Sequence, residues 1–201
     1  MLVDDIVAIT RQISLERVLE AYQVGVFPMA VPEARVFTWH HPDPRAIIPL
    51  DAYHVPRRLQ RTLRQGRFEV TFDKAFADVM RGCAQGRPVW IGPAFHRIYG
   101  ELHQRGHAHS VEVWQGEKLV GGLYGVHLGG GFFAESKFHR VTDASKVGVA
   151  SLILRLNERG FRLLEVQYLT DHLAQFGTIE IPDAEYQRRL RQALAVECAF
   201  P

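Results

Sequence analysis

Glu165 and Gln167 stand two apart in LLEVQYL, an otherwise apolar run that reads as a β-strand. Alternation puts both side chains on one face. There a carboxylate can take up a proton while an amide holds a polar group of a substrate. A charge inside such a strand needs a partner or a task, because burying it alone is costly. A catalytic role, a solvated face and a buried ion pair all meet that requirement. Glu135, Ser136 and Lys137 close a second strand, and Thr170, Asp171 and His172 follow the first. No Ser or Cys sits in a nucleophile elbow or dyad context. The ten histidines include His40-His41 and His107-Ala-His109, but none has zinc-like spacing supported by Cys or carboxylate ligands. Gly121, Gly122, Gly125, Gly129, Gly130 and Gly131 lack the strand–GxGxxG–helix order of a phosphate loop. They read instead as close backbone approach in a hairpin.

The elements that must position these groups follow from pattern. Residues 14–24 read as a helix capped by Ser14 and stopped by Gly25. Pro32, Pro42, Pro44 and Pro49 keep residues 28–49 extended, turned or looped. FEVTFD alternates as a strand, and residues 73–84 and 94–105 read as helices with VWIG between them. HSVEVW, the turn QGEK and LVGGLYGVHL form a hairpin, and Gly129–Gly131 turn the chain into FFAES. Thr142 or Asp143 caps a helix running to Arg159, where Gly160 ends it. FRLLEVQYL is a strand and residues 183–195 a last amphipathic helix. The order predicts an α+β fold with a central, mainly antiparallel sheet and a small N-terminal appendage.

With 201 residues, 47% of them apolar and 23% charged, the chain is of ordinary globular composition. No apolar run approaches the ~20 residues of a membrane span, and MLVDDIVAIT lacks the features of a signal peptide. Cys83 and Cys198 are far apart and define no disulfide framework. A reducing cytoplasm is the expected setting. The net charge of +2 is small, but no acid lies between Asp51 and Glu69, where Arg57, Arg58, Arg61, Arg64 and Arg67 cluster. On a helix Arg57, Arg61 and Arg64 share a face with Leu59 and Leu63 roughly opposite. That face is open either to phosphate or simply to solvent.

Six segments, in order, resemble the leucyl/phenylalanyl-tRNA–protein transferases. AYQVGVFPM is similar to their AYxxGxFPW opening, and HPDPR to their SPDPR turn. VWIGPAF and AHSVEVWQGEKLVGGLYGV resemble their TWIT segment and central hairpin. FFAESKFHRVTDASK resembles FxGESMFSRxxxASK, and VQYLTDHLAQFGTIEIP resembles xQxLxxHLxSLGxxEIPR. The resemblance implies a GNAT-like catalytic domain over residues 44–201 and a small N-terminal domain over 1–43. It implies transfer of Leu, Phe or Met from aminoacyl-tRNA to proteins beginning with Arg or Lys, marking them for degradation, by a monomer that needs no metal or organic cofactor.

Carried over residue by residue, the resemblance places Glu165 and Gln167 at the family's catalytic positions beside the attacking α-amine. Glu135 matches a glutamate whose charge suits a cationic substrate residue. Trp90 and Tyr99 match aromatic positions around the terminal adenosine, and Tyr22 a pocket tyrosine. Arg57, Arg58, Arg61 and Arg64 fall where the family grips the acceptor stem. Four departures stand out. Met29 replaces a tryptophan beside the adenosine, and His40-His41 replace a Trp-Ser pair whose stacking a histidine ring can partly supply. Glu165 is one methylene longer than the usual aspartate. Lys137 and Leu123 replace two methionines of the donor pocket. Two rival readings are a GNAT-type N-acetyltransferase and a catalytically inactive tRNA- or peptide-binding relative. The segment FHRVTDAS before the Asp143 helix has no glycine and carries an acid, which disfavours an acetyl-CoA pyrophosphate loop.

Overall fold

Ser14 is extended and its hydroxyl accepts the Arg17 amide at 3.3 Å, opening helix α1 (Leu15–Gln23). Leu15, Val18, Ala21 and Tyr22 form its buried face. Gly25 (φ +77°) reverses the chain into strand β2 (Phe27–Val31), which pairs with β3 (Val36–His40) around a short 3-10 turn at Pro32–Ala34. Strand β1 (Ile6–Thr10) lines the other side of β3, so the small sheet has the order β1-β3-β2. Pro28 is compatible with a strand because β2 is an edge. The computed structural model describes residues 5–85 and 90–201, so Val89 of the VWIG segment lies outside the described residues.

The main sheet combines β4 (Arg45–Ile47), β5 (Glu69–Phe72), β6 (Ala108–Gln115), β7 (Lys118–Leu128), β8 (Gly131–His139), β9 (Leu163–Gln167) and β10 (Ile179–Ile181). Their spatial order is β10-β4-β9-β8-β7-β6-β5. Every adjacent pair is antiparallel except β8 and β9. Helices α2 (Arg57–Arg64) and α5 (Ala144–Glu158) cover one face. Helices α1, α3 (Phe76–Cys83), α4 (Pro93–Gln104) and α7 (Asp183–Leu194) cover the other, and the four-residue α6 (Asp171–Ala174) follows β9. The result is the expected α+β fold with a mainly antiparallel sheet flanked by helices. Tyr22, Phe27 and Trp39 of the N-terminal elements share one core with Phe95, Tyr99 and Phe133 of the main sheet and its helices. Among the described residues no helix is long and apolar enough to cross a membrane.

The stretch 28–49 is extended and turned as expected, and its extended parts pair as most of β2 and all of β3 and β4. Elsewhere several expectations are corrected. Strands β1 and β10 and helix α6 have too few residues for periodicity to reveal them. The strand expected to run through Tyr168 stops at Gln167, whose φ of +66° breaks the extended backbone. Asp143 sits at the N-cap of α5 but adopts φ +70° and makes no capping bond.

The hairpin glycines are spent on protein contacts rather than on a ligand. A Cβ on Gly121 would lie 2.7 Å from the Ala144 Cβ, and one on Gly125 would overlap the Phe132 ring and the Phe133 carbonyl. Backbone cannot yield as a flexible side chain can, so Gly125→Ala should cost about 2 kcal/mol. Urea unfolding measures it; an unchanged midpoint would show that β7 and β8 can separate freely.

Candidate active site

Strands β8 and β9 pair only from Gly131–Leu163 to Phe133–Glu165 and then diverge. A wedge opens between them. Opposite β7 the register jumps at the same level: Gly125 faces Ala134, while Tyr124 faces Ser136. Glu135 is therefore the extra residue of a β-bulge, a device that re-aims a side chain. Its Oε2 accepts the Tyr99 hydroxyl at 3.0 Å and its Oε1 accepts Gln167 Nε2 at 3.1 Å. The Tyr99 oxygen lies 2.9 Å from that of Tyr22. A cavity of about 180 Å³ fills the wedge. Leu123, Val149, Leu152, Leu164 and Val166 make its walls apolar, while Glu135, Lys137, Gln167 and Thr170 supply its polar groups.

Burial dominates the electrostatics of Glu135. It pushes the carboxyl up to about 8, helped by the nearby Glu165, against hydrogen bonds from Tyr22, Tyr99 and Gln167 that favour the anion. Burial raises the Tyr22 and Tyr99 hydroxyls well above the usual phenol value, so both remain proton donors. Lys137 is lowered by burial and has no ion-pair partner among the described residues. A carboxyl raised to about 8 at the edge of an apolar cavity is able to exchange a proton near neutral pH.

Glu165 is placed differently from the expectation. It is 0% exposed and does not line the cavity. Its Oε1 accepts Arg45 Nη1 at 3.2 Å and the Gln167 amide N–H at 2.9 Å, while Oε2 has no partner. Arg45, itself 1% exposed, also donates to the Gly25 and Pro42 carbonyls and lies over the Tyr186 ring, 4.4 Å from its centroid. Burial raises the Glu165 carboxyl, and the Arg45 charge opposes that rise. Simple alternation does not bring Glu165 and Gln167 to one face, because the positive φ of Gln167 redirects its amide toward Glu135. The buried-ion-pair alternative describes Glu165. Arg45 was missed by the sequence reading; the signal was a buried glutamate lacking a cation, with an arginine in HPDPR to supply it.

Of the other expected residues, Leu123, Glu135, Lys137 and Gln167 meet at the cavity. Tyr22 and Tyr99 stand behind Glu135, and Tyr99, 0% exposed and packed between Phe95 and Tyr124, has no ring face free for an adenine. Met29 and Trp90 are partly buried against the opposite core and do not line the cavity; Trp90 packs edge-on to Phe95. His40 is also unavailable for stacking on a ligand, since it is buried against Phe27 and bonded to Thr38. Arg57, Arg58, Arg61 and Arg64 are all exposed on α2, which buries Leu59. His109 pairs with Asp73 at 2.7 Å and stacks on Phe200. Among the described residues no group of three or more His, Cys, Asp or Glu could hold a metal.

The raised Glu135 carboxyl has a thermodynamic consequence. The unfolded chain releases this proton near 4.5, the native state only near 8, so native stability falls as pH rises between those values. Glu135→Gln removes that loss. Its melting temperature should match wild type near pH 4.5 and exceed it by several degrees at pH 8. Equal pH dependence in the two proteins would contradict the assignment.

Comparison with known proteins agrees with this architecture. The family described as leucyl/phenylalanyl-tRNA protein transferase matches residues 47–191, and its N-terminal domain matches residues 11–43. A leucyl/phenylalanyl-tRNA–protein transferase of Phenylobacterium zucineum is 54% identical over 188 residues, covering 90% of this chain and 85% of its own length. One from Salinibacter ruber is 49% identical, covering 89% of this chain and 79% of itself. One from Gloeobacter violaceus is 49% identical, covering 92% and 96%. The chain belongs to the leucyl/phenylalanyl-tRNA–protein transferase family.

Proposed function

We propose that this chain transfers Leu, Phe or Met from aminoacyl-tRNA to the N-terminal α-amine of proteins that begin with Arg or Lys. The observation that carries the reading is Glu135, held by Tyr99 and Gln167 at the edge of an apolar cavity. Cavity walls such as Leu123 and Val149 suit an apolar donor side chain, and the reacting ester then lies toward the polar groups. An α-amine has a pKa of ~7.7–8.0, close to the value of about 8 for Glu135. A proton passes between such partners at little cost. The amine nitrogen attacks the ester carbonyl, Glu135 takes the proton, and the carbon–oxygen bond to the ribose breaks. Glu135 then passes that proton to the departing ribose oxygen, which leaves as a hydroxyl. Every step is acyl transfer with general acid–base assistance, and positioning supplies most of the gain.

In this reading Gln167 and Glu135 contact the reacting groups, and Glu165 is a positioning residue that fixes Gln167 through its amide N–H. Tyr22 and Tyr99 orient Glu135. Trp90 keeps a partly exposed ring for the terminal adenosine, with Met29 on the same side of the sheet. Lys137 lays its methylenes along the cavity wall and turns its ammonium toward the mouth. Arg57, Arg58, Arg61 and Arg64 meet acceptor-stem phosphates. The protein acts as a cytoplasmic monomer, where charged tRNA is made. The domain division implied by the resemblance, at residue 43, separates the small sheet from the strand that carries Arg45.

The direct test mixes the protein with tRNAs charged with Leu, Phe, Met and a polar control, and a peptide beginning with Arg. Transfer of the three apolar residues, rising with pH to about 8, is expected; acetyl-CoA should neither bind nor serve as donor. No transfer from any tRNA would defeat the reading. Glu165→Gln should lower kcat and also destabilise the fold by about 3 kcal/mol, because Arg45 is left buried without its counter-charge. Wild-type kcat in that variant would exclude a positioning role. Changing Arg57, Arg61 and Arg64 together to Ala should weaken tRNA binding for all sequences and reduce its salt slope by roughly one unit per lost contact. An unaltered slope would remove α2 from the interface.

A further inference from the structure

The small N-terminal sheet carries a feature that the mechanism above does not use. In the order β1-β3-β2, one edge of β1 has no strand partner among the described residues. Such an edge presents a row of unpaired N–H and C=O groups, which proteins ordinarily guard with a charge, a proline or a bulge. The strand, IVAIT, has neither charge nor proline. Its bulge falls at Val7, between Ile6 and Ala8, and leaves Ala8, Ile9 and Thr10 in regular register with Trp39, Thr38 and Phe37.

The side chains around this edge are apolar. Val7 is 59% exposed, Ile9 62% and Val24 57%, and a contiguous exposed apolar patch marks an interaction site. Between β1 and α1 lies an open groove of about 340 Å³, walled by Val7, Val24, Val26 and Trp39. Its two charges, Arg17 and Glu20, are of opposite sign, so the groove favours neither acidic nor basic partners.

Position selects the occupant. Asp5, the residue before β1, accepts the Tyr168 hydroxyl at 3.1 Å, and Tyr168 lines the wedge cavity. The exposed Leu169 follows it. A chain leaving the wedge past Tyr168 therefore arrives at the start of β1. On the reading given above, that chain is the acceptor protein, held in the wedge by its N-terminal residue alone. An enzyme that accepts many proteins needs a grip indifferent to the side chains that follow. An open strand edge supplies one, because it reads main chain.

We propose that the free edge of β1 docks the acceptor polypeptide, whose residues behind the N-terminal Arg or Lys add to the small sheet as a fourth strand. The acceptor backbone bonds to Ala8–Thr10, and its side chains lie against Val7, Ile9 and the groove beside α1. The edge thus selects extended N-termini and rejects those folded against their own protein.

The test follows binding of a fluorescent eight-residue peptide beginning with Arg to the full-length protein by anisotropy. Arginine amide should compete about tenfold more weakly than the unlabelled peptide, the net weight of about one or two backbone hydrogen bonds. A single N-methyl group, moved one amide at a time beyond the second residue, should weaken binding at alternate positions only, since every other amide of a strand faces its neighbour. Val7→Lys and Ile9→Lys together, at exposed positions, should remove the advantage of the long peptide and leave the rate of transfer to arginine amide at its wild-type value. Equal affinity for the peptide and arginine amide, an N-methyl effect without alternation, or an unchanged advantage in the double variant would overturn the proposal. So would a wild-type dimer in sedimentation that the double variant splits, because a second copy would then hold the edge. Peptide binding is measured without transfer, so failure here is distinct from failure of the transfer assay.

Discussion

A fully buried arginine and a fully buried glutamate face each other between the small N-terminal sheet and the wedge of the main sheet. Taking Arg45 and Glu165 out of water costs several kcal/mol per ion. The structure offsets that cost with the ion pair itself, two backbone carbonyls for the guanidinium, the Tyr186 ring beneath it, and one amide for the carboxylate. The carbonyls belong to Gly25 and Pro42, on either side of the small sheet's hairpin, and the amide to Gln167. One pair thus locks the N-terminal elements to the end of β9. Loss of either partner would strand a buried charge, and loss of Glu165 would also release the Gln167 amide.

From that lock the geometry propagates outward. Gln167, forced to positive φ, sends its side chain across the gap to Glu135 instead of along the strand. Glu135 reaches the gap because the β8 bulge adds one residue against β7. Tyr99 and Tyr22 then complete a line of hydrogen bonds running back into the core. The division of labour between the two glutamates follows from surroundings alone. Glu165 has a guanidinium at 3.2 Å and no access to the cavity; Glu135 has only neutral donors and a cavity edge. Burial raises both carboxyls, and only at Glu165 does a guanidinium oppose the rise.

Periodic elements were legible in the sequence, and irregular ones were not. Ser14, Gly160 and the Leu59 side of α2 announced their helices by capping and spacing, and the β6–β7 hairpin by alternation. Glu135 stood out as part of a polar strand end, but its aim into the wedge was not legible, because a bulge leaves no mark in a hydrophobic pattern. The shared face of Glu165 and Gln167 failed for the same reason: period-two reasoning assumes extended backbone, and Gln167 is not extended. The resemblance placed Tyr99 among the stacking positions; its burial in the core shows that its ring is taken up by protein contacts. Arg45 was hidden in a proline-rich turn whose partner lies 120 residues away.

The claim on which the rest depends is that Glu135, not Glu165, is the proton-exchanging carboxyl. Carbon-13 NMR of protein labelled at glutamate side chains, with the Glu135 resonance assigned from Glu135→Gln, follows its ionisation directly. The account predicts a midpoint at about 8, shifting downward when an N-terminal Arg peptide brings its cation alongside. A Glu135 midpoint near the ordinary glutamate value of ~4.3 would contradict it.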